Sequence, residues 1–74
     1  MNIDITDKQK DVLRFIKSYC EKYPQVSAPT QIEIANALRV NTTIVWQRLA
    51  ALEKKGYIEW AHGYPRGIRI IKAF

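Results

Sequence analysis

Four side chains within six positions, Thr42, Thr43, Trp46 and Gln47, carry the most suggestive chemistry in this sequence. Hydroxyl and amide groups donate and accept hydrogen bonds in the patterns that base edges display in a DNA groove. Gln47 suits adenine, and the threonines suit either a base edge or a thymine methyl. Trp46 has two readings that stay open: an outward contact with sugars and thymine methyls, or packing back on its own domain. No carboxylate interrupts the run before Glu53. A polyanion could therefore approach this segment without meeting a like charge.

A second set of residues suits phosphate. Thr30 and Gln31 follow Pro29 at a predicted helix start, where free backbone N–H groups favour an anion. Arg39 and Arg48 flank the Thr42–Gln47 run. Arg48 reads as a phosphate contact or as a helix-surface charge. Farther on, His62-Gly63-Tyr64-Pro65-Arg66-Gly67 forms a loop whose His62, Tyr64 and Arg66 could touch a backbone. Arg66 is its best candidate for a minor-groove or phosphate contact. Arg69 could join them, but a cross-strand pair with Glu59 is the simpler reading.

The charge distribution agrees with such a partner. Net charge is +5 over 74 residues. Residues 1–38 balance five bases against five acids, whereas residues 39–74 set seven bases against only Glu53 and Glu59. The excess lies wholly in the second half, the footprint expected of a polyanion binder.

Other chemistries find little support. A chain of this length is one small domain with a modest core, too small for an enclosed active site with its own lid. A single cysteine, Cys20, excludes an internal disulfide, and a single histidine, His62, argues against a one-chain zinc site. Cys20 falls on a helical apolar stripe and reads as a core residue. No glycine-rich phosphate loop is present, so no catalytic residue, metal or cofactor is expected. No apolar run approaches the roughly 20 residues of a membrane span. The start of the chain mixes acids and bases, unlike a signal peptide. A cytoplasmic, nucleoid-associated protein of bacterial or phage type is the expectation, and Met1 with a finished hairpin suggests a whole chain.

The elements that must position these residues are legible from local signals. Thr6-Asp7-Lys8-Gln9 is a capping box that opens a helix over about 7–23. Val12, Leu13, Ile16, Tyr19, Cys20 and Tyr23 follow its apolar period, widened by Phe15, and Pro24 ends it. Val26-Ser27-Ala28 allows one minor strand. Thr30-Gln31-Ile32-Glu33 is a second capping box, for a helix over about 31–38 with Ile34, Ala35 and Leu38 inward. Asn41 caps a third helix over about 42–55. Its inner stripe is Val45, Leu49 and Leu52, with Ile44 partly buried, and Gly56 stops it.

Beyond Gly56 the period changes to two. Ile58 and Trp60 share one strand face, and Tyr57 and Glu59 share the other. A return strand pairs Ile68 with Ile70, so a hairpin spans about 57–72 with residues 61–67 as its tip. Tyr57, Trp60 and Phe74 are expected to cover the hairpin side of the core. This pattern predicts a mostly α fold with a small β-hairpin, a three-helix winged helix-turn-helix over residues 1–74. In that motif the second helix of the pair enters the major groove and the hairpin loop is the wing.

With those elements in place the chain resembles the DNA-binding domain of the LexA repressor family. The resemblance is carried by Ile5-Thr6 through Gln9, Val12-Leu13-Arg14-Phe15-Ile16, and Pro29-Thr30-Gln31-Ile32-Glu33-Ile34-Ala35. It continues in Leu49-Ala50-Ala51-Leu52-Glu53-Lys54-Lys55-Gly56-Tyr57-Ile58 and Arg66-Gly67-Ile68-Arg69. It implies operator recognition through Thr42 to Gln47 and binding as a homodimer to a two-fold site on double-stranded DNA. Three departures stand out. Arg39 occupies a turn position where the family usually has glycine. The turn is one residue shorter, and the outward residues of the third helix differ from the family's usual readers. These 74 residues also contain no Ser-Lys peptidase domain, hinge or Ala-Gly cleavage site, so self-cleavage and a DNA-damage switch are not implied. The sequence therefore predicts a non-enzymatic, sequence-specific DNA binder acting as a small repressor. The rival is a protein-interaction adaptor anchored by Trp46 and Ile44.

Overall fold

The structure, a computed structural model, describes residues 5–72. Phe74 lies outside them. Helix α1 runs over Asp7–Lys22, α2 over Gln31–Leu38 and α3 over Thr42–Lys54. Strands β1 (Ile58–Trp60) and β2 (Ile68–Ile70) pair antiparallel, with Ile58 opposite Ile70, Glu59 opposite Arg69 and Trp60 opposite Ile68. This is the expected mostly α fold with a terminal hairpin, the arrangement of a winged helix-turn-helix.

All three helix starts follow from their capping residues. Thr6 Oγ1 accepts from the Gln9 amide at 3.1 Å while Gln9 Oε1 accepts from the Thr6 amide at 3.2 Å. Thr30 and Glu33 make the same reciprocal pair at 3.1 and 2.8 Å. Asn41 Oδ1 accepts from the Ile44 amide at 2.9 Å. Each pair satisfies donors that the helix itself leaves unpaired.

Helix α3 packs on α1, on α2 and on β1, so it forms the centre of the molecule. Its Val45, Leu49 and Leu52 are fully buried with Val12, Leu13 and Ile16 of α1, Ile34 and Ala35 of α2, and Ile58 and Ile68 of the hairpin. Tyr57 and Trp60 are buried as well and cover the hairpin side of this core.

The exit from α3 corrects the expected strand pattern. Gly56, at φ +83°, donates to the Glu53 carbonyl, and Tyr57 donates to the Leu52 carbonyl, both at 3.0 Å. Those two bonds define a Schellman turn, which places an apolar residue after the glycine against the last turn of the helix. Tyr57 therefore enters the core, 3% exposed, and does not face outward with Glu59. The pleat begins only at Ile58.

The link after α1 also differs from expectation. Residues 24–26 form a single 3-10 turn, and Ser27 sits at φ 74°, ψ −75°. The Ala28 amide donates to the Val26 carbonyl at 3.0 Å, closing a γ-turn where a minor strand was expected. Tyr23 caps α1 and is exposed, so the buried stripe of that helix is confined to Val12, Leu13 and Ile16, with Phe15 and Cys20 packed beside it. The Cys20 thiol donates to the Ser27 carbonyl at 3.0 Å. Burial first, and the neighbouring Glu21 second, push that thiol further up from its ordinary range, so it stays a protonated donor.

Between α2 and α3, Arg39 adopts the left-handed conformation, φ 57°, ψ 45°, and Val40 donates back to the Ala35 carbonyl at 3.0 Å. An L-residue with a Cβ is strained there, and glycine is not. Arg39→Gly is expected to stabilise the domain by about 1 kcal/mol. The check is the urea midpoint of the two proteins, and an unchanged or lower midpoint would show that this turn carries no strain.

Candidate nucleic-acid interface

The first two turns of α3 stand clear of the core because its inner stripe runs through Val45, Leu49 and Leu52. Thr42, Thr43, Trp46 and Gln47 are exposed, and Ile44 is half-buried. The start of α2 lies beside them, and the hairpin tip lies on the other flank. Three shallow depressions meet at Gln31, the first residue of α2. One, of about 340 Å³, is walled by Gln31, Thr42, Thr43, Trp46 and Gln47. A second, of about 420 Å³, runs between Trp46 and the hairpin residues Trp60, His62, Gly63, Tyr64 and Pro65. The third, of about 440 Å³, is bounded by Thr30, Gln31, Ile32, Thr42 and Pro65. Residues from α2, α3 and the wing thus form one concave face.

Eight of the residues singled out in the sequence come together here: Thr30, Gln31, Thr42, Thr43, Trp46, Gln47, His62 and Tyr64. The arginines do not. Arg39 is exposed at the turn and Arg48, the next residue after Gln47 in α3, is half-buried, and neither lines the depressions. Ile32 and Pro65 were not among the candidate site residues. Ile32 is 64% exposed in the groove. Its signal was available, because a residue two before the buried Ile34 falls on the far side of a helix.

Trp46 combines its two readings. Its ring packs edge-on against Trp60 at 5.4 Å between centroids, yet the residue is 49% exposed. The imidazole of His62 lies 3.9 Å from the Trp60 ring centre, and its Nε2 is 3.3 Å from Glu53 Oε1. The indole is thus braced by the hairpin while presenting half its surface outward.

The wing tip is shaped by a close backbone approach. A Cβ on Gly67 would stand 2.6 Å from the Ala61 carbonyl oxygen and 3.0 Å from its Cβ, so only glycine fits. The Ala61 amide donates to the Gly67 carbonyl at 2.8 Å and closes the loop.

Both hairpin arginines are paired within the chain. Arg69 pairs with Glu59 directly opposite, as the register requires. Arg66 was expected to reach outward, and its guanidinium turns inward instead. It donates to both carboxylate oxygens of Glu33 at 2.9 and 3.3 Å, to the Ala28 carbonyl at 2.9 Å and to the Tyr19 hydroxyl at 3.1 Å.

This contact sets the charge state of Glu33. The Arg66 guanidinium, and then the Thr30 amide, hold its carboxyl below the usual glutamate range of about 4.3. A group lowered on folding contributes stability above its unfolded value and loses it as pH falls through the folded one. The stability of the parent is therefore expected to fall between about pH 4.3 and the lower folded value of Glu33, and more shallowly in Glu33→Gln. Urea melts at pH 5, 4 and 3 check this, and parallel pH slopes for the two proteins would contradict it.

Among the described residues, no group of three or more His, Cys, Asp or Glu side chains is placed to hold a metal. No helix among them is long and apolar enough to cross a membrane.

A helix whose exposed start is free of acids, backed by two others and flanked by a hairpin wing, has the arrangement of the winged helix-turn-helix class of DNA-binding domain. The family profile described as the LexA DNA binding domain matches residues 2–67. The LexA repressor of Thermotoga maritima is 44% identical over 72 residues, covering 95% of this chain and 34% of that protein. The LexA repressor of Geobacter metallireducens is 41% identical over 69 residues, 92% and 33% of the two chains. That of Glaesserella parasuis is 35% identical over 68 residues, 90% and 32%. The chain belongs to the LexA DNA-binding domain family, and it spans about a third of the length of these relatives. What matches is a DNA-binding module and not a catalytic domain.

Proposed function

We propose that this protein binds double-stranded DNA at specific sequences and represses transcription by occupying a promoter. The observation that carries this reading is the concave face at Gln31, where the acid-free start of α3 projects between the α2 N-terminus and the wing. Thr42, Thr43, Trp46 and Gln47 read base edges in the major groove. The amides at Thr30 and Gln31 and the side chains of Arg39 and Arg48 meet phosphates. The wing residues His62, Tyr64 and Pro65 lie along the backbone on the flank. The names of the relatives, LexA repressors, support the same reading.

Binding as a homodimer to a two-fold site is part of the proposal, and the size of the molecule supports it. The longest extent of the molecule is 33 Å. Successive half-sites on one side of B-DNA are about 34–36 Å apart, so two copies are needed to read both. Sedimentation of the complex on its best duplex is expected to show two chains per duplex, and one chain per duplex would refute the dimer.

Fluorescence anisotropy with a labelled pool of random duplexes, titrated at two salt concentrations, tests the proposal. Binding that weakens steeply with salt is the expected result, because phosphate contacts release counterions. A single observation favours a second reading, a protein adaptor: Trp46 and Ile32 expose apolar surface on neighbouring depressions of one face. An aromatic-anchored protein contact has no such salt dependence, so absence of duplex binding at low salt would favour the adaptor.

A further inference from the structure

The arginines between residues 58 and 70 are Arg66 and Arg69, and each faces an acid of its own chain, as does the His62 imidazole. His62 meets Glu53 of α3, Arg66 meets Glu33 of α2, and Arg69 meets Glu59 across the hairpin. The wing is therefore close to neutral as it stands. Arg66 differs from the other two in reach. It joins the wing to α1 through Tyr19, to the inter-helix loop through Ala28 and to α2 through Glu33. Glu33 is shared in turn. Its Oε1 accepts from Arg66 and also from the Thr30 amide, and its Oε2 accepts from the Tyr19 hydroxyl at 3.4 Å. One carboxylate thus caps the helix that carries Gln31 and anchors the loop that carries Tyr64 and Pro65. Gln31 lines one depression together with Tyr64 and Pro65, and a second together with Pro65.

We propose that Arg66 is a positioning residue for DNA recognition, clamping the wing to the start of α2 through Glu33 and leaving phosphate contact to other residues. This rests on the DNA-binding reading. Its consequences have the opposite sign to those of a phosphate-binding arginine. Removing a negative charge from a DNA-facing surface ordinarily strengthens binding. Here the loss of the Glu33 charge releases the wing and weakens it. Lysine, a point charge without the planar fork, cannot serve Glu33, Ala28 and Tyr19 together.

The test uses the full chain, a duplex that it selects from a random pool, and the variants Glu33→Gln, Arg66→Gln, Arg66→Lys and the double Gln variant. Glu33→Gln keeps an acceptor for the Thr30 amide, which protects the α2 cap. Hydrogen exchange is read first, without DNA. Exchange at the Ala61 and Gly67 amides is expected to rise about tenfold in each variant, with the Leu49 amide in the core unchanged. Dissociation constants at two salt concentrations follow. Each single variant is expected to bind about tenfold more weakly, and the double no worse than either, because both remove one interaction. The slope of affinity against salt should stay that of the parent. Tighter binding by Glu33→Gln, with a slope about one unit smaller in Arg66→Gln, would make Arg66 a phosphate contact and overturn the proposal. Unaltered wing exchange in the variants would overturn it equally. A parent that ignores duplex DNA while its wing amides respond would overturn the DNA-binding reading, and with it the recognition role of Arg66, leaving only the structural clamp.

Discussion

Gln47→Glu is expected to weaken binding to a selected duplex by about a hundredfold or more while leaving the fold unchanged. Gln47 is exposed beside Thr43 and Trp46 on the outer face of α3. A bidentate contact to a base is worth roughly 1–3 kcal/mol, and losing it alone, as in Gln47→Ala, should relax preference at one base pair. Glutamate adds repulsion. Two like charges about 7 Å apart at an effective dielectric of about 20 repel by roughly 2 kcal/mol. The two effects together exceed the roughly 2.7 kcal/mol that a hundredfold change requires. Stability should move by less than about 0.5 kcal/mol, since the site is exposed and both residues favour helix similarly. Anisotropy against the selected duplex, with a urea melt in parallel, separates the two quantities. An unchanged affinity would mean that the outer face of α3 does not meet the duplex, and the assignment of Thr42 to Gln47 would fall with it.

The second large effect concerns the core. Leu49→Ala is expected to cost about 2–5 kcal/mol. Leu49 is fully buried, on the helix that contacts every other layer of the fold. A chain of this size has a total stability of only about 4–11 kcal/mol, so this one truncation removes a large part of it. The melting temperature should fall by about 20 °C, and DNA binding should be lost above that lowered midpoint. Leu49→Met, which nearly conserves volume, should cost less than about 1.5 kcal/mol. Ile32→Ala removes a side chain of similar size from the groove and should change stability by less than about 0.5 kcal/mol. Equal melting temperatures for Leu49→Ala and the parent would contradict the central place of α3. A large loss in Ile32→Ala would place that residue in the core and remove it from the groove.

Most of the framework was legible from neighbouring residues. Thr6 with Gln9, Thr30 with Glu33, and Asn41 before Thr42 mark helix starts because a capping side chain satisfies an amide two or three residues away. The inward stripe of α3 was legible because Val45, Leu49 and Leu52 recur at the helical period. Its exposed complement, Thr42, Thr43, Trp46 and Gln47, followed by elimination. The pair of Glu59 and Arg69 was legible from strand alternation. The core-covering role of Tyr57 was legible, but its strand face and the conformation of Ser27 were misread, because each lies where the chain leaves one regular element before entering the next. There the backbone turn, and not a period, directs the side chain.

The contacts that complete the site were of another kind. Arg66 meets Glu33 across 33 positions of sequence, and Trp46 meets Trp60 across 14. His62 reaches Glu53 only because the hairpin folds back along α3. By itself the sequence determined the three helices, the hairpin, the buried stripe and the face of α3 left to the outside, since each depends on interactions within one turn or one strand pair. The tertiary structure alone decided which cations stay available to a partner and how the wing stands against α2. An arginine's partner is chosen by the docking of whole elements, and that docking is set by the shared core beneath them.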